Sequence, residues 1–302
     1  MLFRGHVFAK YKELLEARPN NVSFGTTSWI YEGWKGIVYF KNYKNKTSFR
    51  QSALVEYFLC PLFDFVEVDF TYYDYPTADT LKRLDQQIPT DKRVVFKVTR
   101  TITRPEEKFL NDIEFKDKFL KNFPDTLIGK VLFFHLQFSH MNYSLIDFSE
   151  KLQNFLNSNL PYFLNFSIEF RNREFLNLFE SFLGLGATPC LNHWSYMPGI
   201  TDQISEINLN KFDKIYVRLL TPLGISYEKA VEMFKPYDRV KLPQERAKSD
   251  LAGYITTRPH VKYFVAVNNR FEGCAPLTIA DILKKTNVVF RAGKDCSENT
   301  EP

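Results

Sequence analysis

Along the 302 residues, short apolar runs alternate with longer stretches at helical spacing, and turns rich in Gly, Pro, Asn and Asp separate them. Eight runs predict strands: "VSFGTT" from Val22, "FDFVEVDF" from Phe63, "RVVFKVT" from Arg93, "KVLFFHLQ" from Lys130, "YFLNFSIEF" from Tyr162, "GATPCLN" from Gly186, "KIYVRLL" from Lys214 and "KYFVAVNN" from Lys262. Between them, "TADTLKRLDQQI", "IDFSEKLQNFLNSN", "EFLNLFESFLG" and "SYEKAVEMFKPY" read as helices. Strands alternating with helices imply βαβ units and a parallel sheet, and eight units is the number at which such a sheet closes into a (β/α)8 barrel of the TIM type. An open doubly wound sheet is the alternative, but no G-x-G-x-x-G follows an early strand to give it a nucleotide-binding form. The expectation is one α/β barrel domain over residues 1–285, with 1–20 as a helical extension and 286–302 as a loose tail.

Successive side chains of a strand point to opposite faces, so the alternation sorts each run in two. Leu164, Phe166, Ile168 and Phe170 oppose Asn165, Ser167, Glu169 and Arg171. Val66, Val68 and Phe70 oppose Phe65, Glu67 and Asp69; Phe134 and Leu136 oppose Phe133, His135 and Gln137. Phe96 and Val98 oppose Val95, Lys97 and Thr99, and Val217 and Leu219 oppose Tyr216 and Arg218. In a barrel the apolar face packs outward on the helices and the other looks inward. The inward polar residues gather at the C-terminal ends of the strands, where barrel active sites lie. The expected lining is Glu67, Asp69, Lys97, His135, Gln137, Glu169, Arg171, Asn192 or His193, Arg218, and Asn268 or Asn269.

Composition changes this picture little. Hydrophobic residues make up 44% and charged residues 25%, the makeup of a soluble globular chain, and 30 Phe with 16 Tyr supply a large core. A net charge of +5, spread along the chain, allows a nucleic-acid partner without demanding one, because dedicated binders concentrate their charge. Cys60, Cys190, Cys274 and Cys296 form no CxxC pair, which argues against zinc ribbons, redox pairs and a disulfide framework. No signal-like segment and no membrane-length apolar run is present, so a cytoplasmic location without membrane contact is expected.

The charges of the lining matter more. Glu67, Asp69 and Glu169 face Lys97, Arg171 and Arg218, and burying so many ions costs several kcal/mol each unless all are paired. A polar pocket explains them better than stability does. Arg171 and Arg218 are its natural anion anchors, since a guanidinium grips carboxylate or phosphate bidentately. Trp29, Trp34, Tyr72 and Tyr73 follow the first two strands and would stack on a sugar or base at the rim. Glu67 and Glu169 form a candidate acid/base pair of the glycosidase kind. Neither H-x-x-x-H nor H-E-x-x-H occurs. The cofactor is therefore left unassigned, with a divalent metal such as Mg²⁺ on carboxylates still open. Cys190 lies in a predicted strand and reads as a buried structural thiol.

With these residues in view, the sequence resembles the YecE-like proteins, a numbered domain-of-unknown-function family with a TIM-barrel fold, from Val22 to about Lys285. "GTTSWIYEGWKGIVYF" is similar to the family's opening G-x-S-x-W-x-Y-x-x-W-x-G-x-x-Y-P, and "VEVDFTYYDYP" to its V-E-(I/V)-(N/D)-x-T-F-Y-x-x-P, which matches Glu67, Thr71, Tyr73 and Pro76. "FKVTRTITRP" carries Lys97, Arg100 and Thr103, "SIEFRNREF" carries Glu169 and Arg171, and "VAVNNRFEGCAP" the closing Asn268–Asn269 pair. The chain departs from the family's pattern where "HLQFSH" replaces a Gln-Leu-Pro-Pro turn, where Asn172 and Phe175 replace His and Trp, and where "RLLTP" keeps Arg218 but loses a His. The resemblance implies a fold and a site without an activity. Similar barrels include sugar-phosphate isomerases and His-rich endonucleases of abasic DNA, whose metal ligands this chain lacks.

The expected function is thus a barrel that binds a small phosphate- or carboxylate-bearing ligand and acts as a hydrolase or isomerase. Glu67, Glu169 and Lys97 are its catalytic candidates; Trp29, Asp69, Tyr73, Arg100, Arg171, Arg218, Asn268 and Asn269 its ligand contacts. A non-catalytic nucleic-acid-binding barrel and a scaffold are the alternatives. The oligomeric state is not readable from the sequence.

Overall fold

The computed structural model describes residues 11–106 and 108–298, with side chains up to residue 288. Eight parallel strands close into a barrel in chain order: β1 Val22–Thr27, β2 Phe65–Val68, β3 Arg93–Lys97, β4 Val131–Phe138, β5 Phe166–Phe170, β6 Ala187–His193, β7 Lys214–Leu219 and β8 Lys262–Val267. β1 closes the ring on β8, with Thr26 beside Val267. The eight-fold α/β barrel expected from the alternation is the fold.

The expected faces are also those observed. Phe65, Val95, Phe133, Cys190, Tyr216 and Ala266 form a small apolar cluster of their own, distinct from the main core. Each lies on an inward position, so this cluster plugs the barrel below its mouth. The outward positions, among them Phe96, Phe134, Phe166 and Ile168, join the main core under the helices. That layer is rich in rings: Phe96 with Phe123, Phe115 with Phe134 and Phe123 with Phe134 meet edge to face at 4.8, 6.0 and 5.5 Å. The register of β3 on β4 shifts between Val94 and Val95, which pair with Val131 and Phe133. Leu132 is thereby skipped, and Phe133, His135 and Gln137 keep their inward places.

Gly25, an inward position of β1, is required by this packing. A Cβ built there lies 2.4 Å from the Phe65 carbonyl oxygen and 2.7 Å from its ring. The carbonyl is backbone and cannot turn aside. Gly25→Ala is therefore expected to destabilise the protein by about 1–3 kcal/mol, read as a lowered midpoint in urea; an unchanged midpoint would show that β1 has room to move.

Among the helices, Ala78–Asp85, Leu145–Asn159 and Tyr227–Phe234 fall where the spacing predicts them, whereas Arg173–Phe182 winds as a 3-10 helix with Phe175, Leu176, Phe179 and Phe182 buried. The helix Lys12–Glu16 lies within the expected N-terminal extension, whose first ten residues are outside the described ones. The last helix runs Ala275–Glu298 and so continues through most of the segment expected to be a loose tail; residues 299–302 lie outside the described residues. Among the described residues no helix is long and apolar enough to cross a membrane.

Candidate functional site

The polar layer above the apolar plug is organised by one side chain. Arg218, on β7 and 3% exposed, reaches across the barrel axis. Its Nε donates to Glu67 Oε2 at 2.8 Å and its Nη2 to Glu67 Oε1 at 2.5 Å, while its Nη1 donates to Glu169 Oε2. Tyr216 Oη adds a 2.5 Å hydrogen bond to Glu67. On the other side Arg171 Nε donates to Glu169 Oε1 at 2.9 Å and its Nη2 to Gln137 Oε1 at 2.9 Å. The Arg171 guanidinium lies 4.0 Å from the centre of the Trp194 ring. His135 completes the layer, with Nε2 3.2 Å from Glu169 Oε2 and Nδ1 2.8 Å from Ser167 Oγ. An ionised carboxylate can only accept, so Nε2 of His135 carries the hydrogen and Nδ1 accepts from Ser167.

Electrostatics follows from this geometry. Burial opposes a charge on Glu169, yet Arg218 and Arg171 hold its carboxyl well below the usual range. Burial likewise disfavours the charge of Arg218, and Glu169 and Glu67 raise it regardless. Burial drives His135 down to about 4 despite its bond to Glu169. Glu67 is pushed up to about 7 by burial, against the pull of Arg218 and with the push of the nearby Asp69. Burial also lowers Lys97 to about 8, although Asp69 attracts its ammonium.

Above this layer a cavity of about 540 Å³ opens at the C-terminal ends of the strands. Lys97, Arg104, Arg171, Arg218 and Arg270 line it, against the single carboxylate Asp69. Trp29, Tyr31, Tyr72, Tyr73, Trp194 and Tyr227 form its aromatic walls. Lys97 Nζ sits 3.9 Å above the Tyr72 ring and, among the described residues, makes no hydrogen bond or ion pair. Arg104 Nε, Trp29 Nε1 and Asp69 Oδ1 are buried without a hydrogen-bond partner.

The expected residues fall into three groups. Lys97, Asp69, Trp29, Tyr73, Arg171, Arg218 and Asn268 line the cavity. Asp69 does so from a turn, because β2 ends at Val68 and a 3-10 turn, Phe70–Tyr72, follows. Glu67 and Glu169 lie beneath it, both fully buried. Arg218 stands between them, so a sugar ring cannot insert between the two carboxylates, and all three guanidinium nitrogens of that anchor are already bound. Two residues lie elsewhere. Arg100 is exposed, 6.0 Å from the Tyr73 ring and outside the cavity lining. Asn269 accepts from Trp34 Nε1 at 3.0 Å and from the Ala275 amide at 2.8 Å, which fixes the loop after β8. Trp34 is fully buried there and is no rim residue. Of the alternatives on β6, Asn192 shares the inward face with Cys190, while His193 binds the Thr221 carbonyl at 2.8 Å and lines a separate groove. Arg104, Arg270, Trp194, Tyr31 and Tyr227 were absent from the expected lining. Each lies beyond the C-terminal end of a strand, Arg270 in the turn Asn269–Phe271 and Tyr227 at the start of the helix Tyr227–Phe234, on the side where barrels place functional groups.

One group of described residues has ligand atoms close enough for a metal: His135, Glu169 and Cys190, within 4.8 Å of one another. The donor set fits a cation poorly. The Arg218 guanidinium already occupies Glu169 Oε2, and burial raises the Cys190 thiol well above its ordinary value.

Comparison with known proteins adds a family. A family model described as "Protein of unknown function DUF72" matches residues 23–299. A DUF72 family protein from Enterococcus faecalis V583 superposes with a TM-score of 0.58 at 15% identity, over 88% of this chain and 95% of its own. One from Thermotoga maritima MSB8 gives 0.56 at 20% identity, over 89% and 98%. At such identities the likeness concerns the fold. Comparison with curated proteins finds no match.

Proposed function

The chain belongs to the DUF72 family of proteins of unknown function, and on that premise we propose that its barrel mouth binds a small phosphate- or carboxylate-bearing ligand among Lys97, Arg104, Arg171 and Arg270. The observation that carries this reading is that Lys97 and Arg104 line one cavity while, among the described residues, no protein group is bonded to Lys97 Nζ or to Arg104 Nε. A buried donor without a partner is costly, and an anion supplies what both lack. Arg171 keeps a nitrogen, Nη1, outside its bonds to Glu169 and Gln137. Arg218 serves instead as the support that holds the floor. Isomerase or hydrolase chemistry at this site falls to Lys97 and Asp69, the ionisable groups on the wall, with Glu67 and Glu169 setting the field from below.

Thermal-shift titration with inorganic phosphate, phosphorylated sugars and nucleotides tests the pocket, since a ligand that prefers the folded state raises its stability with concentration. Arg104→Ala is expected to weaken the affinity roughly tenfold or more, the worth of one charged hydrogen bond. No shift from any anion in the panel would remove the reading. A second reading, single-stranded nucleic acid across the same mouth, draws on Tyr73 and Phe70, 61% and 39% exposed at the rim. It requires oligonucleotide affinity that falls steeply with salt, and absence of binding at low salt would exclude it.

A further inference from the structure

Resting on that anion-pocket reading, we propose that Lys97 forms a covalent imine with a ligand carrying a carbonyl beside its anionic group, either a 2-oxo acid or a keto or aldo phosphate. The contrast with Lys248, the other buried lysine among the described residues, motivates it. Lys248, 2% exposed, is closed off by Glu245 and Glu272 at 3.0 Å and by Asp281 at 2.6 Å. That arrangement raises the charge affinity of Lys248 well above the ordinary lysine range. Lys97 is 8% exposed and has no such closure, although carboxylates stand nearby. Its stem rises from the end of β3, its Nζ is held over the Tyr72 face, and the space beyond is the cavity. A lysine kept for structure would have closed on Asp69.

The groups facing it set its state. Asp69 and Glu67 attract the ammonium, Arg218 and Arg171 repel it, and burial outweighs them all, leaving a value of about 8. A neutral amine is therefore present at physiological pH, as nucleophilic attack requires. The lone pair of Nζ forms the N–C bond while the carbonyl electron pair moves to oxygen. The proton lost by nitrogen passes to that oxygen, giving a carbinolamine. Asp69, whose Oδ1 is buried with no hydrogen-bond partner, is placed to relay it. The carbinolamine hydroxyl then takes up a second proton, the one the ammonium released on becoming the amine, the C–O bond breaks so that water leaves, and the nitrogen lone pair completes the C=N bond. Overall an ammonium and a carbonyl become an iminium and water. No oxidant is needed and the charge is unchanged. Arg104 and Arg171 hold the ligand's anionic end from the same wall.

The test treats the full chain with dihydroxyacetone phosphate or pyruvate in the presence of cyanoborohydride, then maps labelled lysines by peptide mass spectrometry. Glycerol 3-phosphate, which lacks the carbonyl, serves as the binding control in thermal shift. The expected result is a reduced adduct on the Lys97 peptide at least tenfold above any other lysine. Lys97→Arg cannot form an imine and should lose the label, and excess glycerol 3-phosphate should compete the label away from Lys97 of the wild type. If a carbonyl ligand stabilises the wild type and Lys97 stays unlabelled, or labelling survives in Lys97→Arg, the imine is wrong and the anion pocket stands. If none of the three compounds moves the melting temperature, the pocket reading falls and the imine with it.

Discussion

Replacing Arg218 with Ala is expected to cost about 3–5 kcal/mol of stability, the range for removing one partner of a buried ion pair, read as a large drop in the urea midpoint at neutral pH. Two carboxylates depend on this guanidinium, Glu67 through two nitrogens and Glu169 through the third, and both are fully buried. Deleting it leaves Glu169 charged and Glu67 forced to take a proton in a dry layer, with only Arg171, His135 and Tyr216 to compensate. Arg218→Lys should recover part of the loss at most, because one ammonium cannot span two carboxylates as a planar fork does. Combining Arg218→Met with Glu67→Gln and Glu169→Gln removes the charges together and should be markedly more stable than Arg218→Ala, which keeps the test decisive even where the single variant fails to fold. A wild-type midpoint for Arg218→Ala would show that water reaches the layer and that the network holds nothing.

The alternation along each strand foretold this layer because a strand's side chains have a period of two whatever the surrounding fold. Phe65, Glu67, Val95, Lys97, Phe133, His135, Tyr216 and Arg218 were all placed inward on that basis, and the inner apolar cluster is built from the same parity. Where the strand ends, the period ends with it. Asp69 was counted as a strand residue, yet β2 stops at Val68 and Asp69 takes helical backbone angles. It reaches the cavity through the turn. Asn268 and Asn269 are neighbours in the loop after β8. Asn268 donates to Thr27 at the end of the neighbouring strand β1, while Asn269 holds Trp34 and the next helix. No pattern in the sequence separates those two roles.

Arg104 and Arg270 escaped for the same reason: loop side chains have no period to show where they point. The pairing within the layer was equally hidden. The sequence shows three acids and three bases on inward positions, but barrel closure decides that one arginine serves two glutamates and that Lys97 is left facing the cavity. The final helix is a different case. Thr278, Ile279, Ile282, Leu283 and Thr286 are buried on one side of it, and that helical spacing crosses residue 286, where the polar end of the chain suggested a tail.

The second large effect is one of pH. His135 is buried and neutral, with its pKa held at about 4 against 6.5 in an exposed chain. Between those values the unfolded chain binds a proton that the folded one refuses, so stability falls as pH falls through this window and the loss is complete below it. The size is on the order of 3 kcal/mol. Glu67 acts in the opposite sense. Its folded value of about 7 lies above the ordinary 4.5, so the folded protein takes the proton first and gains stability as pH falls between the two. A wild-type profile alone therefore mixes both. Comparison with His135→Gln separates them, because Glu67 contributes to each protein and subtracts out. At neutral pH the variant should be the less stable, having exchanged an imidazole fitted to Ser167 and Glu169 for an amide. Urea midpoints taken from pH 7 down to pH 4 should show that gap shrink by about 3 kcal/mol, whatever the shape of the wild-type curve. Parallel curves would mean that His135 takes up its proton at the same pH in the folded barrel as in the unfolded chain, and so is charged below about pH 6.5. Glu169 would then face three cations, Arg171, Arg218 and His135, rather than two and a neutral donor, and the layer would stand one positive charge higher beneath an anion pocket that gains from it.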